Sequence, residues 1–190
     1  MTHRRLGIVL IAIGLVGLIG TAWALAARPG SSSIPEAWAP LVGPRGGPTC
    51  DAPALPGQTA DVVLSDMRGM SSGGMMSGGR MMSIAARRSV VGAGTVSFRV
   101  WNAGMMDHEL VVMRLPEGGV GTRSVGADGR VSEEGSLGEA SRSCGEGAGE
   151  GIAPGAVSWV SLNLASGRYE LICNLPGHYA MGMFTELDVR

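Results

Sequence analysis

Three side chains able to bind a soft or borderline metal fall within one short run near the C-terminus. They are Cys173, His178 and Met183, in Cys173-Asn174-Leu175-Pro176-Gly177-His178-Tyr179-Ala180-Met181-Gly182-Met183. A second histidine, His108, lies upstream in Asn102-Ala103-Gly104-Met105-Met106-Asp107-His108-Glu109-Leu110. A thiolate, two imidazoles and a weakly binding thioether form the ligand set of a blue-copper electron-transfer site, three donors lying trigonally and Met axially. Soft sulfur donors favour Cu(I), while imidazole accepts both oxidation states. The pattern predicts one copper ion held by His108, Cys173, His178 and Met183, with one-electron chemistry. Met181 is the alternative axial ligand. Met183 is preferred because it continues an inward alternation through Thr185 and Leu187.

The histidine inventory narrows the chemistry. Only His3, His108 and His178 exist, and His3 belongs to the leader. Copper oxidases and nitrite reductases need further histidines for a catalytic copper, so an enzyme is not expected, nor is a small-molecule substrate. A dinuclear copper centre needs a second cysteine in the ligand loop, and Asn174–Gly177 supplies none. Structural zinc sites use Cys, His and carboxylates rather than Met.

The elements that must position these groups read as short strands. Val96, Phe98 and Val100 alternate against Ser97 and Arg99, and Asp61–Leu64 and Leu110–Leu115 are short apolar runs. Ser158, Val160, Leu162 and Leu164 line one face of another strand. Tyr169, Leu171 and Cys173 alternate in the next, which turns the thiol inward; Met183, Thr185, Leu187 and Val189 end the pattern. Beyond the leader no stretch has helical periodicity. Short strands joined by Gly- and Pro-rich turns predict an all-β sandwich.

Residues 1–5 read as a cytoplasmic tail that ends in Arg4 and Arg5. The uncharged run Leu6–Ala27 follows; its 22 residues exceed the roughly 20 that cross a bilayer. It is read as a transmembrane anchor, with a cleaved signal peptide as the alternative given the small residues at Ala22, Ala24, Ala26 and Ala27. Either way the body is exported, and Arg4 and Arg5 stay inside. Residues 28–57 hold seven of the ten prolines and suit a semi-rigid linker. The domain then occupies 58–190. Net charge is -1, which gives no basic surface for nucleic acid. With Cys173 assigned to a metal, Cys50 and Cys144 remain as a candidate disulfide in an oxidising compartment.

The segment Cys173–Met183, continuing through Phe184 and Leu187 to Val189, resembles the C-terminal copper loop of the plastocyanin/azurin superfamily, the cupredoxins. Its Cys-x4-His-x4-Met spacing is similar to the rusticyanin and sulfocyanin branch, and Asn102-x-Gly104 with His108-Glu109-Leu110-Val111-Val112 resembles the first ligand segment of sulfocyanin-like bacterial proteins. The resemblance implies a Greek-key β-sandwich, a mononuclear type 1 copper, the same four ligands and redox protein partners. One departure stands out: Glu109 follows the first histidine where plastocyanin and azurin carry asparagine.

Two segments fall outside that resemblance. Met67, Met70, Met75, Met76, Met81 and Met82 lie in a Gly/Ser-rich tract, 67–82. Soft thioethers there would serve auxiliary Cu(I) binding, and they motivate the alternative function of copper storage or delivery. The plainer reading is a low-complexity loop. The Gly-rich, acidic insert 117–155 reads as a solvated surface excursion. Met105, Met106, Leu175, Pro176, Tyr179 and Met181 are read as an apolar docking patch around the metal end.

Overall fold

The computed structural model describes residues 50–66 and 82–190. The leader, most of the linker, and Met67, Met70, Met75, Met76 and Met81 lie outside the described residues. Among the described residues there are nine strands and no helix, hence no helix long and apolar enough to cross a membrane.

The strands are β1 (Gln58–Asp66), β2 (Met82–Ala86), β3 (Val90–Val91), β4 (Gly94–Asn102), β5 (Leu110–Arg114), β6 (Gly138–Ala140), β7 (Val157–Leu164), β8 (Gly167–Ile172) and β9 (Phe184–Val189). One sheet has the order β2-β1-β4-β7 and the other β3-β9-β8-β5-β6. The pairs β1–β4 and β3–β9 are parallel and the others antiparallel. Most neighbours are not consecutive in the chain, so the chain crosses repeatedly between the sheets, giving the Greek-key sandwich that the resemblance implies.

Alternation explains why the two sheets stick. In β1, Ala60, Val62, Leu64 and Asp66 face inward. In β4, Val96, Phe98 and Val100 do the same, and they meet Leu110, Val112, Leu171 and Leu187 of the other sheet in one cluster. Fully burying a side chain of this size stabilises by about 1.5–3 kcal/mol. Three inward apolar residues, Ala60, Val62 and Leu64, are followed by one charged residue, Asp66, at the end of β1.

Cys50 and Cys144 are joined by a disulfide with Cα atoms 5.5 Å apart. The end of the linker is therefore fixed to the sandwich, and Pro56 adds a carbonyl that accepts the Ser97 hydroxyl at 2.6 Å. Met82 is not part of a free arm: it opens β2, pairs with Asp66 and is buried in the core.

The insert 117–155 departs from the expected solvated excursion. It contributes β6 to a sheet, buries Val131 and Ile152, and packs along the Cys173–Met183 loop. The cause is a set of polar ties rather than apolar mass. Asn174 donates from Nδ2 to Val131 O at 3.0 Å and accepts Val131 N at 2.8 Å, while Arg130 Nη1 donates to Asn174 O at 3.0 Å. Gly177 N donates to Gly129 O at 2.8 Å. A Cβ on Gly129 would stand 2.9 Å from that same amide, and Gly129 has φ +78°, so only glycine fits both demands.

Candidate metal centre

His108 lies in the loop between β4 and β5, and Cys173 immediately follows β8. His178 and Met183 occupy the loop before β9. These pieces meet at one end of the sandwich. His108 forms a two-way backbone bridge with Ile152, donating to its carbonyl at 3.2 Å and accepting its amide at 2.7 Å. Asn102 fixes the rest of that loop: Nδ2 donates to Met106 O at 2.7 Å and Ile152 O at 2.6 Å, and Oδ1 accepts Gly104 N at 2.8 Å. The second loop is closed by Cys173 N donating to Met183 O at 3.0 Å and Met183 N donating to His178 O at 3.1 Å.

The donor atoms converge. Cys173 Sγ is 3.2 Å from His178 Nδ1 and 4.0 Å from His108 Nδ1, and the two Nδ1 atoms are 3.2 Å apart. A trigonal transition-metal ion with bonds of about 2.0–2.3 Å to N and S needs donors about 3.5–3.8 Å apart, which the observed spread brackets. His108, Cys173 and His178 are the cluster of metal-binding side chains found among the described residues. Met183 is fully buried in the same core cluster as Cys173, whereas Met181 is only partly buried at its edge. The donor set therefore fits a soft, one-electron metal such as copper.

Burial keeps each donor in its neutral form. Burial lowers the pKa of both histidines, with Asp66 opposing it at His108 and the neighbouring His108 adding to it at His178. Both rings are thus kept neutral and ready to ligate. Burial pushes the Cys173 thiol up to about 12. Glu109 N donates to its sulfur at 3.4 Å, which partly offsets that cost. A buried thiol of this kind ionises when a cation replaces its proton. Glu109 itself is raised to about 7, first by burial and then by Glu139 and Glu133.

The pH dependence of metal binding follows with a definite sign. Between about pH 8 and pH 9.5 the histidines and Glu109 have already lost their protons and Cys173 has not, so binding releases about one proton and affinity rises about tenfold per pH unit. Nearer pH 7, Glu109 adds to the release, because a nearby cation favours its ionised form. Calorimetry in buffers of different ionisation enthalpy counts these protons. A release near zero above pH 8 would rule out Cys173 as a protonated ligand in waiting.

Glu109, already singled out after the first histidine, and Asp66, which sequence reading passed over, make the walls. Glu109 Oε1 accepts Asn174 N at 3.0 Å and so joins the two ligand-bearing segments. Asp66 Oδ2 lies 3.2 Å from His108 Nε2, a contact signalled only by a charge at the inward position after Ala60, Val62 and Leu64. Tyr179 is a correction. It does not line an exposed patch but is buried, its hydroxyl donating to Glu170 Oε1 at 3.0 Å and accepting Arg123 N at 3.1 Å. Met105 and Met106, 69% and 44% exposed, do face solvent, and Leu175, Pro176 and Met181 are at least partly exposed.

The family profile described as the sulfocyanin (SoxE) domain matches residues 76–190. Curated proteins offer no match. Among solved structures, reduced rusticyanin is similar at 17% identity, over 72% of this chain and 82% of that one, with a TM-score of 0.43. Rusticyanin from Thiobacillus ferrooxidans is similar at 18% identity, over 70% and 79% of the chains, with a TM-score of 0.43. Dithionite-reduced auracyanin from Roseiflexus castenholzii is similar at 16% identity, over 70% and 98% of the chains, with a TM-score of 0.46.

Proposed function

The chain belongs to the sulfocyanin (SoxE) domain family, and from that premise we propose that it is an exported electron carrier. His108, Cys173 and His178 would hold one copper ion, with Met183 as a weaker fourth donor, and the protein would pass single electrons between protein partners. The observation that carries this reading is the convergence of one thiol and two neutral imidazoles within 4.8 Å of one another.

Copper, when bound, supplies a one-electron couple. The chain's own residues do the rest. Glu109 and Asn174 tie the first ligand segment to the second, and the backbone bonds of Cys173, His178 and Met183 hold the loop closed. The sandwich keeps bulk water away: His108 and Cys173 are completely buried and His178 is 8% exposed. His178, the one ring of the cluster that keeps some exposure, is therefore the side from which an electron enters or leaves. Export, with the leader as an anchor, completes the proposal. It is supported by the Cys50–Cys144 disulfide, which suits an oxidising compartment.

Titration of the full chain with Cu(II) tests the reading. The expected result is an intense visible band that saturates at one copper per chain, bleaches with reductant and returns with oxidant. A colourless complex, or copper that leaves rapidly to a modest chelator, would favour copper handling instead.

A further inference from the structure

We propose that Asp66 is the positioning residue of this metal centre: its carboxylate fixes the His108 ring with a bare Nδ1 facing Cys173 and His178, and its charge lowers the reduction potential of the ion held there. The inference rests on the copper reading above for its second half only.

The tautomer follows from donors and acceptors. Asp66 Oδ2 is 2.7 Å from Met105 N and 2.9 Å from Met106 N. Backbone N–H groups only donate, so this oxygen is an acceptor. His108 Nε2, 3.2 Å from the same oxygen, must then bring the hydrogen. A neutral imidazole carries one N–H, which leaves Nδ1 as the free lone pair. That is the nitrogen 3.2 Å from His178 Nδ1 and 4.0 Å from Cys173 Sγ.

The contact has been given room. A Cβ on Gly104 would stand 2.5 Å from Asp66 Oδ2 and 2.7 Å from His108 Nε2, so any other residue there would push the pair apart. Both partners are enclosed, with side-chain exposures of 3% for Asp66 and 0% for His108. An aspartate at an inward strand position costs stability unless its hydrogen bonds are filled. Here one oxygen serves both the Met105–Met106 turn and the ligand ring.

The charge has a separate consequence. Reduction removes one positive charge from the centre, so a nearby carboxylate stabilises the oxidised ion more than the reduced one. A carboxylate behind a ligating histidine also raises the basicity of that ligand.

Asp66→Asn separates the two effects, because an amide oxygen can accept the same three hydrogen bonds without the charge. In the full chain it is expected to keep the visible band and to raise the preference for Cu(I) over Cu(II) about tenfold, which is about 59 mV for a one-electron couple. Asp66→Ala removes the acceptor as well. In copper-free protein the His108 Nε2–H proton should appear far downfield, move upfield in Asp66→Asn, where the hydrogen bond loses its charge assistance, and broaden away in Asp66→Ala. An Nε2 resonance identical in all three proteins, or a potential unmoved by Asp66→Asn, would overturn the proposal. The resonance needs no metal: a wild-type chain that never forms the coloured centre would refute the copper reading and leave the pairing judged on its own signal. Should Asp66→Ala fail to fold, Asp66→Asn still decides.

Discussion

Cys173→Ser is expected to abolish the visible charge-transfer band of the copper-loaded protein and to weaken copper binding by about 100-fold or more. The substitution is nearly isosteric at a completely buried position, so the fold should survive it. What changes is donor chemistry. A soft thiolate gives way to a hard hydroxyl that stays protonated, leaving two imidazoles and a thioether to hold the ion. The Glu109 amide, 3.4 Å from the sulfur, would still face position 173. Absorption spectroscopy and competition with a chelator of known affinity measure both losses. Retention of the band would remove Cys173 from the ligand set.

The second large effect lies away from the metal. Cys50 and Cys144 are separated by 94 positions, and for a loop of that length the cross-link lowers the entropy of the unfolded chain by the equivalent of about 4–5 kcal/mol. The Cys50→Ser/Cys144→Ser variant should lose that much stability, a fall in Tm of roughly 10–20 °C. Its copper spectrum below the transition should be unchanged. The insert has independent ties to the ligand loop, through Arg130, Val131 and Glu133 to Asn174. Denaturant unfolding with and without reductant measures the loss. A difference under about 1 kcal/mol would mean that those ties, and not the disulfide, hold the insert.

The candidate donors were legible in the sequence because their signals are local, and His108, Cys173 and His178 do converge. Cys173, His178 and Met183 sit at fixed short spacing, and His108 stands out because the body holds so few histidines. The strands β4, β7 and β9 were equally readable, since period-two alternation survives in their own residues. What stayed hidden depends on partners distant in the chain. Asp66 meets His108 only because β1 runs parallel to β4, a pairing with no local signature. The bracing role of the insert rests on polar ties to Asn174 and on two single apolar residues, Val131 and Ile152, set among glycines and charges, where no periodicity can build up. Tyr179 looked like a surface residue because Glu170, which receives its hydroxyl, lies on the preceding strand and is buried on its outer face under Gly121 and Arg123 of the insert. β2 escaped notice behind the Gly/Ser-rich tract, although Met82 and Ile84 do alternate.

The cysteine pairing bears on how the chain matures. Three thiols allow three pairings, and only one leaves the metal ligand free. A chain emerging from its N-terminus presents Cys50 and Cys144 before Cys173. The correct partners are therefore together before the competitor arrives. Cys173 then enters a buried strand end, where its high pKa keeps it a poor nucleophile for disulfide exchange until copper takes the proton's place. Sequence order and burial together protect the one thiol that the proposed copper site needs reduced.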